Sequence, residues 1–451
     1  MSRDPVPELL QRATHTLAAE FAGLPDPESD PSANLEAMAA VLDTVAHRLG
    51  DNYPYFHPLY AGQMLKPPHP VARAAYALAM SINPNNHARD GGRASSEMEM
   101  EAVRGIAQMF GWSEFLGHLA SSGTIASLEA LWVAGQLAPG KRIVASEQAH
   151  YTHRRISSVL RLEYSDIAAD NSGRMNLEAL EDELRKGDVG TVVVTLGTTA
   201  IGAVDPLPEI LALKARYGFR IHVDAAYGGY FRLIADELEE PVRNAYLATA
   251  DADSLVIDPH KHGLQPYGCG CILFRDPAVG RFYKHESPYT YFTSGQLHLG
   301  EISLECSRAG AAAVALWATQ KLLPLTPGGT FARDLASCRA AAKDLDRRIR
   351  HDRRFQALPA APPQLDIVVW KPAEAHELAS DVTQKIFAAC ATRDLHLALV
   401  QLPRSWFYPG AAPGSGTVTC LRSVLMKPEH SLWLERIWEK LSASSAEILG
   451  G

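Results

Sequence analysis

Apolar positions in the first fifty residues repeat with helical spacing. Leu9, Leu10, Ala13 and Leu17 predict a helix over 6–22, and Leu35, Met38, Val41, Leu42 and Val45 predict a second over 34–49. The stretch between them carries three prolines and ends in Ser32 and Asn34, both suited to capping the second helix. An aromatic, proline-rich segment follows, Asn52-Tyr-Pro-Tyr-Phe-His-Pro-Leu-Tyr60, which excludes a regular helix and suits a docking loop beside a pocket.

From about residue 95 the pattern alternates. Helices are expected over 98–110, 127–137, 150–160, 176–186, 207–217 and 240–249. Short Val- and Ile-rich runs at 142–146, 191–195, 220–224, 254–257 and 269–274 read as strands. Apolar strands spaced by helices predict a mostly parallel sheet covered on both faces. Two Gly/Pro breaks, Pro327-Gly-Gly329 and Pro359-Ala-Ala-Pro-Pro363, precede a different pattern. Strands are expected there at 366–370, 395–401 and 417–424, with helices at 376–393 and 429–444. The expected division is a helical segment over 1–85, a large α/β domain over 86–325 and a small α+β domain over 326–451.

Composition narrows the classes. The 451 residues carry a formal net charge of −8, which disfavours a nucleic-acid partner. The arginines at 347, 348, 350, 353 and 354 alternate with Asp344, Asp346 and Asp352 and read as a solvated helix face. Six scattered cysteines without a CxxC pair suggest reduced thiols and a cytoplasmic setting. The start, Met1-Ser-Arg-Asp-Pro5, lacks the apolar core of a signal peptide, and the apolar run at 309–318 is too short to span a bilayer, so no membrane role is expected.

Chemistry gathers where predicted strands end, the place at which open α/β sheets bind ligands. Ala120-Ser-Ser-Gly-Thr124 precedes a helix, and small residues with hydroxyls at a helix N-terminus suit a phosphate, although Ser and Thr there also serve as plain caps. Asp224 closes an apolar strand, where a carboxylate needs a partner such as a protonated pyridine nitrogen. Ala226 is small enough for a flat ring to lie against. Lys261 follows another buried strand in a turn set by Pro259, flanked by Asp258 and His260. A desolvated lysine there favours imine chemistry. His150, after the strand at 142–146, suits stacking on an aromatic cofactor. A metal reading of His150 with His153 has no third ligand, so no metal is expected. Thr195-Leu-Gly-Thr-Thr199 closes a further strand with two hydroxyls. No GxGxxG after a strand, GxxxxGK[ST] or GxSxG is present, which weakens dinucleotide, P-loop and α/β-hydrolase readings.

In combination and order, Ser121-Ser-Gly-Thr124, Gln148-Ala-His150, Gly197-Thr-Thr199, His222-Val-Asp-Ala-Ala226 and Asp258-Pro-His-Lys261 resemble the group II pyridoxal 5'-phosphate (PLP)-dependent amino-acid decarboxylases of the aspartate-aminotransferase superfamily. These act on aromatic amino acids, glutamate, tyrosine or aspartate. The resemblance runs from about residue 57 to 439 and implies PLP fold type I, with a seven-stranded-type, mostly parallel sheet sandwiched by helices. It implies a Schiff base on Lys261, Asp224 on the pyridine nitrogen, Ala226 and His150 on the two ring faces, and Gly123, Thr124 and His260 at the phosphate. Asp258 stands where relatives often have Asn, and Thr199 would lie near the reacting carbon. The resemblance further implies Tyr289 or Tyr291 as general acid, and His57, Tyr60 and Arg422 on the substrate side. It also implies an amino-acid substrate and a homodimer. PLP carbon–carbon lyases and amine-oxidising or aminotransferring enzymes share the fold, and the motifs do not say which bond breaks. The chain departs from the pattern at Ile125, where relatives often have an acid, and at His262, where the aromatic-amino-acid enzymes often have Trp.

Overall fold

The computed structural model describes residues 4–25, 34–284, 298–373, 379–408, 414 and 416–450. Two sheets organise it. The first has seven strands: β1 (Leu116–Ala120), β2 (Arg142–Ser146), β3 (Tyr164–Ile167), β4 (Val189–Thr195), β5 (Arg220–Asp224), β6 (Ser254–Ile257) and β7 (Gly270–Phe274). Their order across the sheet is β1-β7-β6-β5-β4-β2-β3. Only β7 runs against the others, pairing antiparallel with both β1 and β6. The six remaining strands therefore all end at one edge.

The Val- and Ile-rich strands are continuous buried runs because helices cover both faces. The expected strands at 220–224 and 254–257 match β5 and β6, and those at 142–146, 191–195 and 269–274 match β2, β4 and β7 to within two residues. β1 and β3 were not expected. Leu-Gly-His-Leu-Ala has no β-branched residue, and β1 is held by its pairing with β7; β3 is a half-exposed edge strand of four residues.

The helices are α1 (Val6–Glu20), α2 (Leu35–Leu49), α3 (Pro70–Met80), α4 (Arg93–Met109), α5 (Gly123–Leu137), α6 (Thr152–Val159), α7 (Leu177–Leu184), α8 (Leu207–Tyr217), α9 (Glu240–Leu247), α10 (Gly310–Leu322), α11 (Thr330–His351), α12 (Ala379–Ala391) and α13 (His430–Leu449). The apolar run at 309–318 is the start of α10, which packs on α3 and α4. No described helix is long and apolar enough to cross a membrane. On α11, Arg347 is exposed and pairs with Asp344, the half-buried Arg348 pairs with Asp344 and Glu435, and Arg350 pairs with the buried Asp346. The solvated-face reading thus holds for one side of that helix.

The second sheet is antiparallel, in the order β10-β11-β9-β8, with β8 (Phe355–Leu358), β9 (Ile367–Pro372), β10 (Ala398–Pro403) and β11 (Thr417–Val424). The side chains of Val368, Trp370 and Leu421 pack with α11, α12 and α13. Their alternates Ile367, Val369 and Val424 join the core that runs into the first sheet. This period-two division fastens the two sheets together. The aromatic segment at 52–60 seats on the second sheet: Tyr60 bridges to His396, and the Tyr53, Tyr55, Tyr60 and His396 rings cluster 4.9–6.4 Å apart. All six cysteines are free, and all but Cys306 are buried.

Candidate active site

At the edge where the parallel strands end, four strand-end turns and one helix N-terminus enclose a cavity of about 200 Å³. After β1, Ser122 caps α5 by accepting a hydrogen bond from the Ile125 N–H at 3.3 Å. The first N–H groups of α5 have no partner within the helix and carry the positive end of its dipole, so this corner accepts an anion. Gly123 is required there: a Cβ would lie 2.5 Å from Asp258 Oδ1. The helix starts four residues earlier than the expected start at 127, which places Gly123 and Thr124 in its first turn.

After β6, the turn brings Lys261 back over Asp258. The Lys261 amide donates to the Asp258 carbonyl at 2.9 Å, and Nζ lies 3.0 Å from Oδ2. The second oxygen, Oδ1, is buried without a partner. His260 is fixed by a 2.7 Å contact between Nδ1 and the Cys269 carbonyl and by the Tyr267 ring 4.8 Å away. Burial pushes its imidazole down from the ordinary value.

After β5, Asp224 is nearly dry. Oδ1 accepts the Ala226 N–H at 3.1 Å and Oδ2 lies 2.8 Å from His153 Nε2. Burial alone would raise this carboxyl. The His153 hydrogen bond, the charge of Lys261 and the Ala226 amide outweigh it and hold the group below the usual carboxylate range, so Asp224 stays ionised. His150 follows β2 and lines the cavity half-buried, and burial pushes its imidazole down. After β4, Gly197 takes φ +98°, a left-handed conformation that brings Thr199 to the cavity.

Nine of the residues singled out in the sequence therefore meet at one place: Gly123, Thr124, His150, Thr199, Asp224, Ala226, Asp258, His260 and Lys261. His57, Tyr60 and Arg422 do not line this cavity. His57 sits edge-on to Trp433, 4.7 Å away. Tyr60 is buried, and burial pushes its hydroxyl up to about 12. Arg422 Nη1 donates to the Thr199 carbonyl at 2.7 Å and Nη2 donates to Gln63 Oε1. Tyr289 and Tyr291 lie outside the described residues. His153, weighed in the sequence only as a metal ligand, belongs to Asp224 instead. Among the described residues no group of three or more metal-ligating side chains assembles.

The set fits PLP on its own chemistry. It offers an amine, a buried carboxylate held ionised for a ring N–H⁺, a small residue and an imidazole on the walls, and a helix N-terminus with hydroxyls for a phosphate. Residues 51–371 match the family described as the pyridoxal-dependent decarboxylase conserved domain.

The chain belongs to the pyridoxal-dependent decarboxylase family.

With the family come its cofactor, PLP, and the carboxy-lyase class, as the sequence motifs implied. Similar proteins include an L-tyrosine decarboxylase of Enterococcus faecium, 28% identical, with 66% of each chain covered. A probable L-tyrosine/L-aspartate decarboxylase of Methanothermobacter thermautotrophicus is 29% identical over 58% of this chain and 70% of that one. A probable L-aspartate decarboxylase of Halobacterium salinarum is 33% identical over 56% of this chain and 70% of that one. The chain thus spans about two thirds of the length of these relatives. Among solved structures, Oryza sativa TDC with PLP and tryptamine superposes with a TM-score of 0.80 at 18% identity, covering 100% of this chain and 99% of that one. Catharanthus roseus tryptophan decarboxylase in complex with L-tryptophan gives 0.76 at 16% identity, covering 99% of each. At these identities the likeness establishes the fold, which is the one expected from the sequence.

Proposed function

We propose that this family member releases the α-carboxylate of an L-amino acid as CO₂ and leaves the amine. The observation that carries the reading is the convergence of Lys261, Asp224, His150 and the Ser122–Thr124 turn on one cavity. PLP, when bound, supplies a cationic ring that draws electrons from the bond breaking at Cα.

The chain's own residues divide the remaining work. Lys261 is the attachment amine. Asp224, kept ionised, holds the proton on the ring nitrogen. His150 and Ala226 form the two walls against which the ring lies. Gly123, Thr124 and His260 hold the phosphate, and Lys261 offsets the nearby Asp258 carboxylate until the cofactor enters. Thr199 stands beside the reacting carbon. Tyr289 or Tyr291 returns a proton to Cα; replacing the residue that does so with Phe costs roughly 10²–10⁴-fold in kcat, and replacing the other leaves turnover intact. His57 and Tyr60 shape the substrate side from the second sheet. Arg422 commits two nitrogens to Thr199 and Gln63, which supports a role in holding Thr199 toward the substrate.

The same reading makes the chain a cytoplasmic homodimer with the segments 1–85, 86–325 and 326–451 as its units. The free cysteines support a reducing compartment. The dimer is supported by α2, which has no buried residue and leaves Leu35, Met38, Leu42, Val45 and Leu49 exposed at alternating spacings of three and four.

The test is to supply the purified, PLP-loaded protein with single L-amino acids and measure CO₂ and amine. L-Tyrosine and L-aspartate come first, because the curated relatives carry those names. Release of both products from at least one, abolished in Lys261→Ala, is the expected result. Release of neither from any common amino acid overturns the reading.

A further inference from the structure

His262 directly follows the attachment lysine. Its ring is fully buried, with the Tyr227 and Phe231 rings 4.8 and 5.1 Å away. Its Nε2 lies 3.2 Å from Asp366 Oδ2, within ion-pair distance but off the axis of an aligned hydrogen bond. The other oxygen, Oδ1, accepts a hydrogen bond from the Tyr227 hydroxyl at 2.5 Å. Asp366 immediately precedes β9, and its carbonyl accepts the Leu425 N–H at 2.9 Å. The carboxylate of one fully buried residue at the start of the second sheet thus touches both the turn after β5 and the turn after β6.

Burying a carboxylate is costly, and breaking its pairings leaves that cost uncompensated. Burial alone would raise the Asp366 carboxyl; His262, the Tyr227 hydroxyl and the charge of Lys66 reverse this and hold it below its ordinary value. Lys66 is itself anchored by donating to the Met426 carbonyl at 3.2 Å. Tyr246, Cys338 and His430 also interact electrostatically with Asp366. Plain packing of the second sheet on the first does not call for a charge here, because Leu365, Ile367 and Val369 on either side of Asp366 already provide apolar contact.

We propose that Asp366 is a positioning residue of the cofactor site: from the second sheet it holds the Ala226-Tyr227 wall and the Lys261-His262 turn in fixed relation, and its negative charge sets the potential at the Lys261 amine. The proposal rests on Lys261 being the attachment residue. Tyr227 also lines the cofactor cavity, so the clamp reaches the ring wall within one residue. Removing the charge leaves the Lys66 cation without its counter-ion beside the Lys261-His262 turn, which would disfavour further positive charge there.

The experiment uses the PLP-loaded full chain and its Asp366→Asn and Tyr227→Phe variants. It reads the rate of cofactor loss and the pH midpoint of the cofactor's visible band. Asp366→Asn is expected to lose cofactor about fivefold faster or more and to move the midpoint to lower pH. Tyr227→Phe keeps the charge and is expected to speed cofactor loss with the midpoint unmoved. If Asp366→Asn does not fold, Lys66→Met, which leaves the carboxylate but removes the cation that faces it, is expected to move the midpoint to higher pH. An unmoved midpoint in the variant that folds overturns the proposal, including when its thermal stability falls, because that outcome makes Asp366 a packing group only. Lys261→Ala separates the premise: persistence of the same visible band there overturns the lysine assignment rather than the clamp.

Discussion

Nε2 of His153 lies 2.8 Å from Oδ2 of Asp224, and both side chains are buried. The His222 ring is edge-on 6.2 Å from His153 and is kept neutral by burial, which pushes it down to about 3. His153 is thus the side chain that fixes one oxygen of the carboxylate assigned to the ring nitrogen.

His153→Phe removes a hydrogen bond to a charged group, worth about 1.5–3 kcal/mol, so PLP affinity is expected to fall about 10- to 100-fold. Titrating the apo-protein with PLP and following the visible band measures it. The pH dependence has a defined sign. Asp224 titrates below its unfolded value, so its contribution is present above the ordinary carboxylate range and is lost only as pH falls below that range. In His153→Phe the loss should begin at higher pH than in the parent. Equal acid limbs for the two proteins would count against the assignment.

Gly123→Ala places a methyl carbon 2.5 Å from Asp258 Oδ1 and 2.9 Å from its Cγ. Alanine is the better helix former, so α5 itself should persist. Asp258 must shift, and with it the Lys261 amine it touches. The expected outcome is cofactor binding weakened about tenfold or more with an unchanged far-ultraviolet circular dichroism spectrum.

Lys427 donates to the Tyr60 carbonyl at 2.6 Å, and burial pushes its amine down to about 7. The unfolded chain therefore binds more protons than the folded one between about pH 7 and the ordinary lysine value near 10.5, and stability rises with pH across that window. Below pH 7 the full cost of the buried charge is present. Lys427→Met removes that cost, so its thermal midpoint relative to the parent should be more favourable at pH 6 than at pH 9. Calorimetry at the two values checks the sign.

The exposed apolar seam of α2 carries the proposed dimer. Leu42→Glu combined with Val45→Glu touches nothing buried in the single chain, so its fold should be unaffected. Light scattering is expected to report a monomer for the double variant and a dimer for the parent. A parent that is itself monomeric would remove the dimer from the reading.

Much of the architecture was readable because burial on both faces leaves a plain signature. β2, β4, β5 and β6 are apolar runs bounded by turns, and the helix between β4 and β5 lies at 207–217 as expected. β1 and β3 escaped because neither has the composition of a strand; their neighbours in the sheet hold them. The helices α3, α10 and α11 were also not drawn from the pattern. α10 is alanine-rich and buried along much of its length, which erases the amphipathic period.

The sequence by itself determined the strand-end chemistry. Gly123, Asp224, Asp258 and Lys261 each sit in a local turn whose residues are contiguous, so short motifs report them. Only the tertiary structure decided which distant groups complete that chemistry. His153 reaches Asp224 across 71 positions, Asp366 reaches Tyr227 across 139, and Arg422 reaches Thr199 across 223. A buried carboxylate or guanidinium must find a partner, but its own neighbours in the chain do not say which. That choice is made when the two sheets close on each other and water leaves.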